Sequence, residues 1–507
     1  MKFHIDTRRT VGKRDPMIYG QFIEHFHRQI YGGIYDPGNP LSGKEGFRED
    51  VIRAMQRIKV PVLRWPGGCF VSAHHWKDAV GKNRVPTFDK AWRVEEPNTF
   101  GTDEYIAFCR RVGCEPYICT NAGTGTAEEM SDWVEYCNLK TEGPYAKQRI
   151  ANGHSDPFKV KYWSIGNENY GGWEIGAKTA TEWGRLVTES AKMIQRVDPS
   201  IELSAAALAD LDWNINLLKN CGERLAWISI HDYWDGIHQT NDYANYEQCM
   251  AYTNYLEDKV AKVRGLLCAM GLEKQIRIAF DEWNLRGWYH PNSHSLKLGI
   301  NPDDYIKPRD LNDENCRYTM ADAVFTACFL NMANRNCDIV GMTNYAPVVN
   351  TRGLIYTQKD GIVLRSTYHV FDLYVNGLGD TVLDSFVSDM PVLKIRDKAG
   401  NLVETPALDL LATLNPDGNI VIAAVNKDPG EAQTLQVVME KLPQRVSIQT
   451  LSGKSIDAFN DMGRNDAVPG AAAETRYNTE TGISLPPHSV SIVRFFGDSL
   501  PADSYVE

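Results

Sequence analysis

A (β/α)8 TIM barrel followed by a C-terminal all-β, jelly-roll-like sandwich is the fold this sequence predicts, on three observations. Eight short apolar, β-prone runs alternate with longer stretches of helical period through the first three quarters of the chain. Polar or ionisable residues stand at the ends of nearly all of those runs, where barrels gather their sites. Beyond Asn376 the chain changes to short alternating runs split by turn signals, and tryptophan and cysteine no longer occur. The reading places the barrel at residues 16–375 and the sandwich at 376–507, with residues 1–15 joining the second unit. At 507 residues the chain is too long for one compact core. A doubly wound open sheet is the alternative for the first unit.

The eight expected strands are Met17–Ile23, Pro61–Gly67, Glu115–Asn121, Lys161–Glu168, Ile201–Ala207, Trp227–Tyr233, Ile276–Trp283 and Ile339–Ala346. The first unit has long loops, with Gly and Pro across Tyr31–Gly43. A capping box, Thr179-x-x-Glu182, opens a helix that puts Trp183, Leu186, Val187, Ala191 and Ile194 on one face. Further helices are expected over Tyr252–Met270 and Arg317–Arg335. In the second unit, Asn419–Asn426 and Ser489–Phe496 read as strands, and Asn415-Pro-Asp-Gly418 as a turn. The polar stretch Asn460–Asn478 reads as a long loop. Lys2–Asp6 is too short to stand alone and is expected to pair into the sandwich.

Composition narrows the function. Hydrophobic residues make up 43% of the chain and aromatic residues 10%, ordinary for a soluble enzyme. A net charge of −11 argues against nucleic acid as a partner. No apolar run is long enough to span a bilayer, so no membrane association is expected. The N-terminus shows no apolar signal region, and the expected location is cytoplasmic. The 11 cysteines form no CxxC pair, and Cys109, Cys119, Cys268 and Cys328 sit in apolar context, as buried reduced thiols do. The 12 histidines form no spaced metal signature, so neither a metal nor another cofactor is expected.

The strand ends carry the chemistry. They are Gln21 and Glu24, Arg64 with Gly67-Gly68, Asn121, Asn167 with Glu168, His231 with Tyr233, Asp281 with Glu282, and Asn344. For Asn121 and Asn344, polar residues surfacing at a strand end is an equally good account. Two of the ends stand out. The apolar run from Lys161 ends in Asn167-Glu168-Asn169 with glycines at 171 and 172, and the run from Ile276 ends in Asp281-Glu282. Two glutamates delivered by separate strands to one barrel mouth are what glycosidic cleavage requires: one to donate a proton, one to attack. An arginine such as Arg64 beside the attacking carboxylate would favour its charged form.

The wording of these stretches is specific. YWSIGNEN at Tyr162–Asn169 and DEWN at Asp281–Asn284 resemble the glycosidases of a large clan built on (β/α)8 barrels. YGQFIEHFHRQIYGGIYDP at Tyr19–Pro37, LRWPGGCF at Leu63–Phe70, NTFGTDE at Asn98–Glu104, NAGTGTAEE at Asn121–Glu129 and SIHDY at Ser229–Tyr233 narrow the likeness. Together they resemble the α-L-arabinofuranosidases of glycoside hydrolase family 51. The likeness is strong across the barrel and weak beyond it, where LPPHSV at Leu485–Val490 carries it.

The resemblance implies roles. Glu168 would be the general acid/base and Glu282 the nucleophile. Asn167 would bond the sugar's 2-hydroxyl, Glu24 would bind sugar hydroxyls, and Arg64 would sit beside Glu282. His231 and Tyr233 would orient the carboxylates, Tyr233 near Glu282. Two positions depart from the family pattern. Many members carry Asn where this chain has Cys69, and some carry a sugar-contacting Gln where it reads Val349-Asn-Thr-Arg-Gly353. Cys69 is expected near the sugar without acting as a nucleophile, because no paired base accompanies it. Trp92, Trp288 and Tyr289 lie in loops near the strand ends and suit either sugar stacking or loop packing.

The implied protein is a retaining, exo-acting α-L-arabinofuranosidase. It would release terminal arabinofuranosyl residues from arabinan, arabinoxylan or derived oligosaccharides, and the likeness suggests a homo-oligomer, often a hexamer. The same machinery acting on β-xylosides or β-glucans is the nearest alternative. A non-catalytic carbohydrate-binding barrel is a second, opposed by two buried acids that a binder gains little from.

Overall fold

The computed structural model describes residues 1–237, 243–288 and 313–497. Eight strands form one parallel sheet: Gly20–Phe22, Val62–Trp65, Glu115–Thr120, Tyr162–Ile165, Glu202–Ala205, Trp227–Ile237, Arg277–Trp288 and Val340–Tyr345. Numbered along the chain, they lie side by side in the order five, four, three, two, one, eight, seven, six. A parallel bridge from Ala206 to Ser229 joins the fifth strand to the sixth. The ring therefore closes, and a doubly wound open sheet is excluded.

Expected and observed elements differ mainly at their ends. Pro16–Tyr19 is a 3-10 turn, because the Asp15 side chain accepts a hydrogen bond from the Met17 amide and Pro16 presets the turn. The capping box at Thr179 is formed on both sides, and Ala180–Val197 buries Trp183, Val187, Ala191 and Ile194. Cys268 is exposed, contrary to its apolar context, while Cys109, Cys119 and Cys328 are buried. Among the described residues, no helix is long and apolar enough to cross a membrane.

The seventh strand departs from regular pairing at one informative place. Ala279 pairs with Ser229 and Glu282 with His231, so it holds one residue more than its neighbour over that interval. Its register against the eighth strand also shifts, between Phe280 and Trp283. Successive residues of a regular strand point to opposite faces. This bulge is what allows the consecutive Asp281 and Glu282 both to reach the barrel interior.

The second unit is built on a continuous ten-stranded sheet, which includes Lys2–Lys13 between Thr381–Ser388 and Gln433–Val438. Its strand Ile420–Asn426 is buried on both faces. Ile420, Ile422 and Ala424 face the sandwich core, whereas Val421, Ala423 and Val425 join the core that extends into the barrel. That double burial explains a near-continuous apolar run in an antiparallel strand. The stretch expected as a loop, Asn460–Asn478, contains four short strands. Ala473–Arg476 pairs with Arg445–Ile448 through backbone bonds while every residue stays exposed, so no hydrophobic pattern marks it.

Candidate active site

Glu282 is held at both carboxylate oxygens. Arg64 Nη1 donates to Oε2 at 3.0 Å, and the Tyr233 hydroxyl donates to Oε1 at 2.5 Å. Arg64 is fully buried. Burial opposes its charge, but Cys119, Asp281 and Glu282 more than offset that, and it remains a cation. Its Nη2 also donates to Asn167 Oδ1 at 2.8 Å, tying the seventh strand end to the fourth. Burial, aided by Glu282, pushes the Tyr233 phenol well above its ordinary range, so it stays a donor. Beneath Glu282, Asp281 accepts from Tyr117 at 2.7 Å and Ser229 at 2.6 Å.

Glu168 has a different shell. Its Oε1 lies 2.8 Å from His231 Nδ1, and its Oε2 accepts from Trp173 Nε1 at 2.8 Å. Its φ of +43° is in the left-handed region, a backbone state that costs a non-glycine residue about 1 kcal/mol or more. A left-handed Gly166 precedes it, where a Cβ would sit 2.2 Å from Asn169 Oδ1. The chain thus turns sharply out of the fourth strand and presents the carboxylate at the mouth.

His231 stands between the two glutamates, 3.6 Å from Glu282 Oε2 and 3.3 Å from Asp281 Oδ1. Burial alone would lower its affinity for a proton. The charge of Glu282 and hydrogen bonds to Asp281 and Glu168 outweigh that and push its pKa up to about 10. Conversely, burial would raise Glu168, but His231, Trp173 and Arg64 hold it below the usual carboxylate range. In the resting site, therefore, the proton sits on His231 rather than on Glu168.

Glu24 forms the floor. Its Oε1 accepts from the Phe70 amide at 3.0 Å and from Trp92 Nε1 at 2.9 Å. Burial, with the charge of Glu282, pushes its pKa up to about 8. Gly67 and Gly68 close over it, and a Cβ at Gly67 would lie 2.5 Å from Glu24 Cγ. Cys69 follows them, and burial pushes its thiol well above the ordinary range, so it is not a thiolate. Among the described residues, two donor sets are close enough to hold an ion: Cys69, Glu168 and Glu174, and Glu168, His231 and Glu282, each with atoms within 4.8 Å of one another. A protonated thiol and a protonated imidazole suit proton chemistry better than coordination.

The comparisons with known proteins agree. A family model described as the α-L-arabinofuranosidase 1 domain matches residues 54–251, and one for the α-L-arabinofuranosidase C-terminal domain matches 281–489. The chain is 32% identical to a probable α-L-arabinofuranosidase C of Aspergillus clavatus, over 97% of this chain and 96% of that one. The chain belongs to the α-L-arabinofuranosidases of glycoside hydrolase family 51. It is a glycosidase on a TIM barrel with a β-sandwich. An intracellular exo-α-(1→5)-L-arabinofuranosidase of Halalkalibacterium halodurans is 34% identical over 86% of each chain. The crystal structure of the Thermotoga maritima α-L-arabinofuranosidase in its arabinose complex superposes with a TM-score of 0.86, at 34% identity, over 97% of this chain and 99% of that one.

Within this family member, the structure gathers Glu24, Arg64, Cys69, Trp92, Asn167, Glu168, His231, Tyr233 and Glu282 at one barrel mouth. Three other strand-end residues do structural work. Asn121 caps its own loop, accepting from the amides of Gly123, Thr124 and Gly125. Asn344 donates to the Gln21 carbonyl, and the Gln21 side chain donates to the Tyr19 carbonyl. Trp288 closes the seventh strand, but its side chain lies outside the described residues, as does Tyr289. Trp173, Glu174 and Arg352 were not predicted. Arg352, from the Val349–Gly353 stretch, donates to the Tyr233 hydroxyl at 3.2 Å. The signal for Trp173 was an aromatic directly after Gly171-Gly172, in the loop that follows Glu168.

Proposed function

We propose that this glycosidase is a retaining, exo-acting α-L-arabinofuranosidase in which Glu282 is the nucleophile and Glu168 the acid/base. The observation that carries the mechanism is a spacing: oxygens of the two carboxylates approach within 4.8 Å. Retaining enzymes hold their carboxyls about 5–5.5 Å apart, whereas inverting ones leave about 6.5–9.5 Å for a water. The role assignment rests on partners. Arg64 and Tyr233 fix Glu282 for attack on the anomeric carbon, and Arg64 has no proton to give. Glu168 borders His231, which has one.

The steps follow from those charges. Attack by Glu282 converts its carboxylate into an ester and removes one of three negative neighbours that hold the proton on His231. In that same step the glycosidic C–O bond breaks, and Glu168 protonates the leaving oxygen while drawing the His231 proton across the 2.8 Å bond. In the second half, Glu168 takes a proton from water, the water oxygen displaces Glu282 with retention, and the proton returns from Glu168 to His231 as Glu282 regains its charge. Asn167 and Glu24 are placed to hold sugar hydroxyls, and Trp92 to wall the pocket.

The exo-α-(1→5)-L-arabinofuranosidase of Halalkalibacterium halodurans supports exo cleavage of terminal arabinofuranosyl groups, and we take arabinan, arabinoxylan or their oligosaccharides as the substrates. We take residues 16–375 as the catalytic unit, 376–507 with 1–15 as the sandwich unit, and the assembly as a cytoplasmic homo-oligomer. Assay of the purified protein on aryl α-L-arabinofuranoside, β-D-xyloside and β-D-glucoside tests the substrate. Preference for the arabinofuranoside by at least about 100-fold in kcat/KM is expected. A higher kcat/KM on either of the other two contradicts the proposal.

A further inference from the structure

Among the described residues, Glu174 is a buried carboxyl at the barrel mouth that the mechanism above leaves unused. It is 5% exposed, in the tight loop after Gly171-Gly172, where its amide donates to the Gly171 carbonyl at 3.0 Å. Its Oε2 lies 3.5 Å from Asn167 Nδ2. Because Asn167 Oδ1 is taken by Arg64, that amide has only its NH2 group left to turn toward Glu174. One of the Glu174 carboxyl oxygens, an oxygen of Glu168 and the Cys69 Sγ all lie within 4.8 Å of one another. Glu174 Oε1 is buried without a hydrogen-bond partner among the described residues.

We propose that Glu174 is a positioning residue of the hydrolytic reaction, holding the Asn167 amide and the Cys69 thiol against the sugar and setting a third carboxyl beside Glu168. This rests on the reading of Glu168 as acid/base. The groups facing it are Cys69 and Ser72 from the turn after the second strand, Asn167 and Glu168 from the fourth, and Glu24 from the first. Burial pushes its pKa up to about 8 against the pull of Ser72, with the charge of Glu168 pushing the same way. Below that pH it is a neutral acid that accepts from Asn167 and adds no charge to a site already crowded with carboxylates. Above it, a further negative charge stands against Glu168 while the leaving oxygen must be protonated. Glu24 ionises over the same range. His231 loses its proton only near pH 10, so below about pH 9 the alkaline fall in kcat/KM should follow two ionisations.

The test compares wild type, Glu174→Gln and Glu174→Ala on 4-nitrophenyl α-L-arabinofuranoside between about pH 5 and pH 10. Glu174→Ala should lose about 100-fold in kcat/KM through misplacement of Asn167. Glu174→Gln keeps shape and neutrality, and should recover at least about tenfold of that loss. Its alkaline limb should fall with one ionisation where wild type falls with two. A merely structural role predicts rescue by Gln with no change in the limb, and that result overturns the proposal. So does Glu174→Ala retaining activity within about threefold of wild type. If Glu174→Ala does not fold, as judged by its melting transition, the limb of Glu174→Gln decides alone. Wild type inert on this substrate would instead overturn the assigned activity.

Discussion

The ends of the fourth and seventh strands deliver the same functional group into different company. Glu282 meets Arg64 and Tyr233; Glu168 meets His231 and Trp173. Both side chains are similarly buried, at 10% and 13% exposure, so burial does not separate them. What separates them is whether the partner can release a proton. A guanidinium cannot at any working pH, whereas an imidazolium can. In the proposed mechanism, two identical residues take opposite roles because one neighbour is a fixed charge and the other a proton store.

That contrast can be broken in steps. Glu282→Ala removes the attacking group and should lower kcat by about 10,000-fold or more on every substrate, activated or not. Loss confined to poorly activated substrates would show that Glu282 is the proton donor instead. His231→Gln removes the proton store but keeps a donor beside Glu168. It should cost about 100-fold on natural oligosaccharides and much less on aryl substrates whose leaving groups need no proton. Equal losses on both would place His231 on the Glu282 side of the comparison. Tyr233→Phe removes one donor from a buried carboxylate and should lower kcat about 10-fold to 100-fold with the fold intact, as checked by the melting temperature. Cys69→Ser should change kcat/KM by less than about tenfold, since the thiol is protonated and has no chemical step. A fall of about three orders of magnitude would show otherwise.

The barrel was legible because its strands are short apolar runs and its helices carry a 3.6-residue period; the helix capped by Thr179 is the plainest case. Glu168 and Glu282 stood out because each ends such a run. Less visible were features that leave no pattern. The exposed strand Ala473–Arg476 pairs through its backbone alone. The bulge that turns both Asp281 and Glu282 inward depends on the register of neighbouring strands. Arg352 reaches Tyr233 across a fold, and nothing in Val349–Gly353 announces it. Asn121 and Asn344 matched the strand-end pattern yet serve backbone, because a strand end offers carbonyls and amides as readily as ligands.

The division of roles is tested most directly by azide rescue of Glu168→Ala. Under the proposed roles this variant lacks the proton donor but keeps the nucleophile, so an activated aryl α-L-arabinofuranoside should still form the glycosyl-enzyme, which then stalls for want of a base. Azide needs no base, and should restore turnover and yield the α-arabinofuranosyl azide with retained configuration. Rescue of Glu168→Ala giving the inverted azide would contradict the account, because it would mean that Glu168, not Glu282, is the group that attacks the sugar.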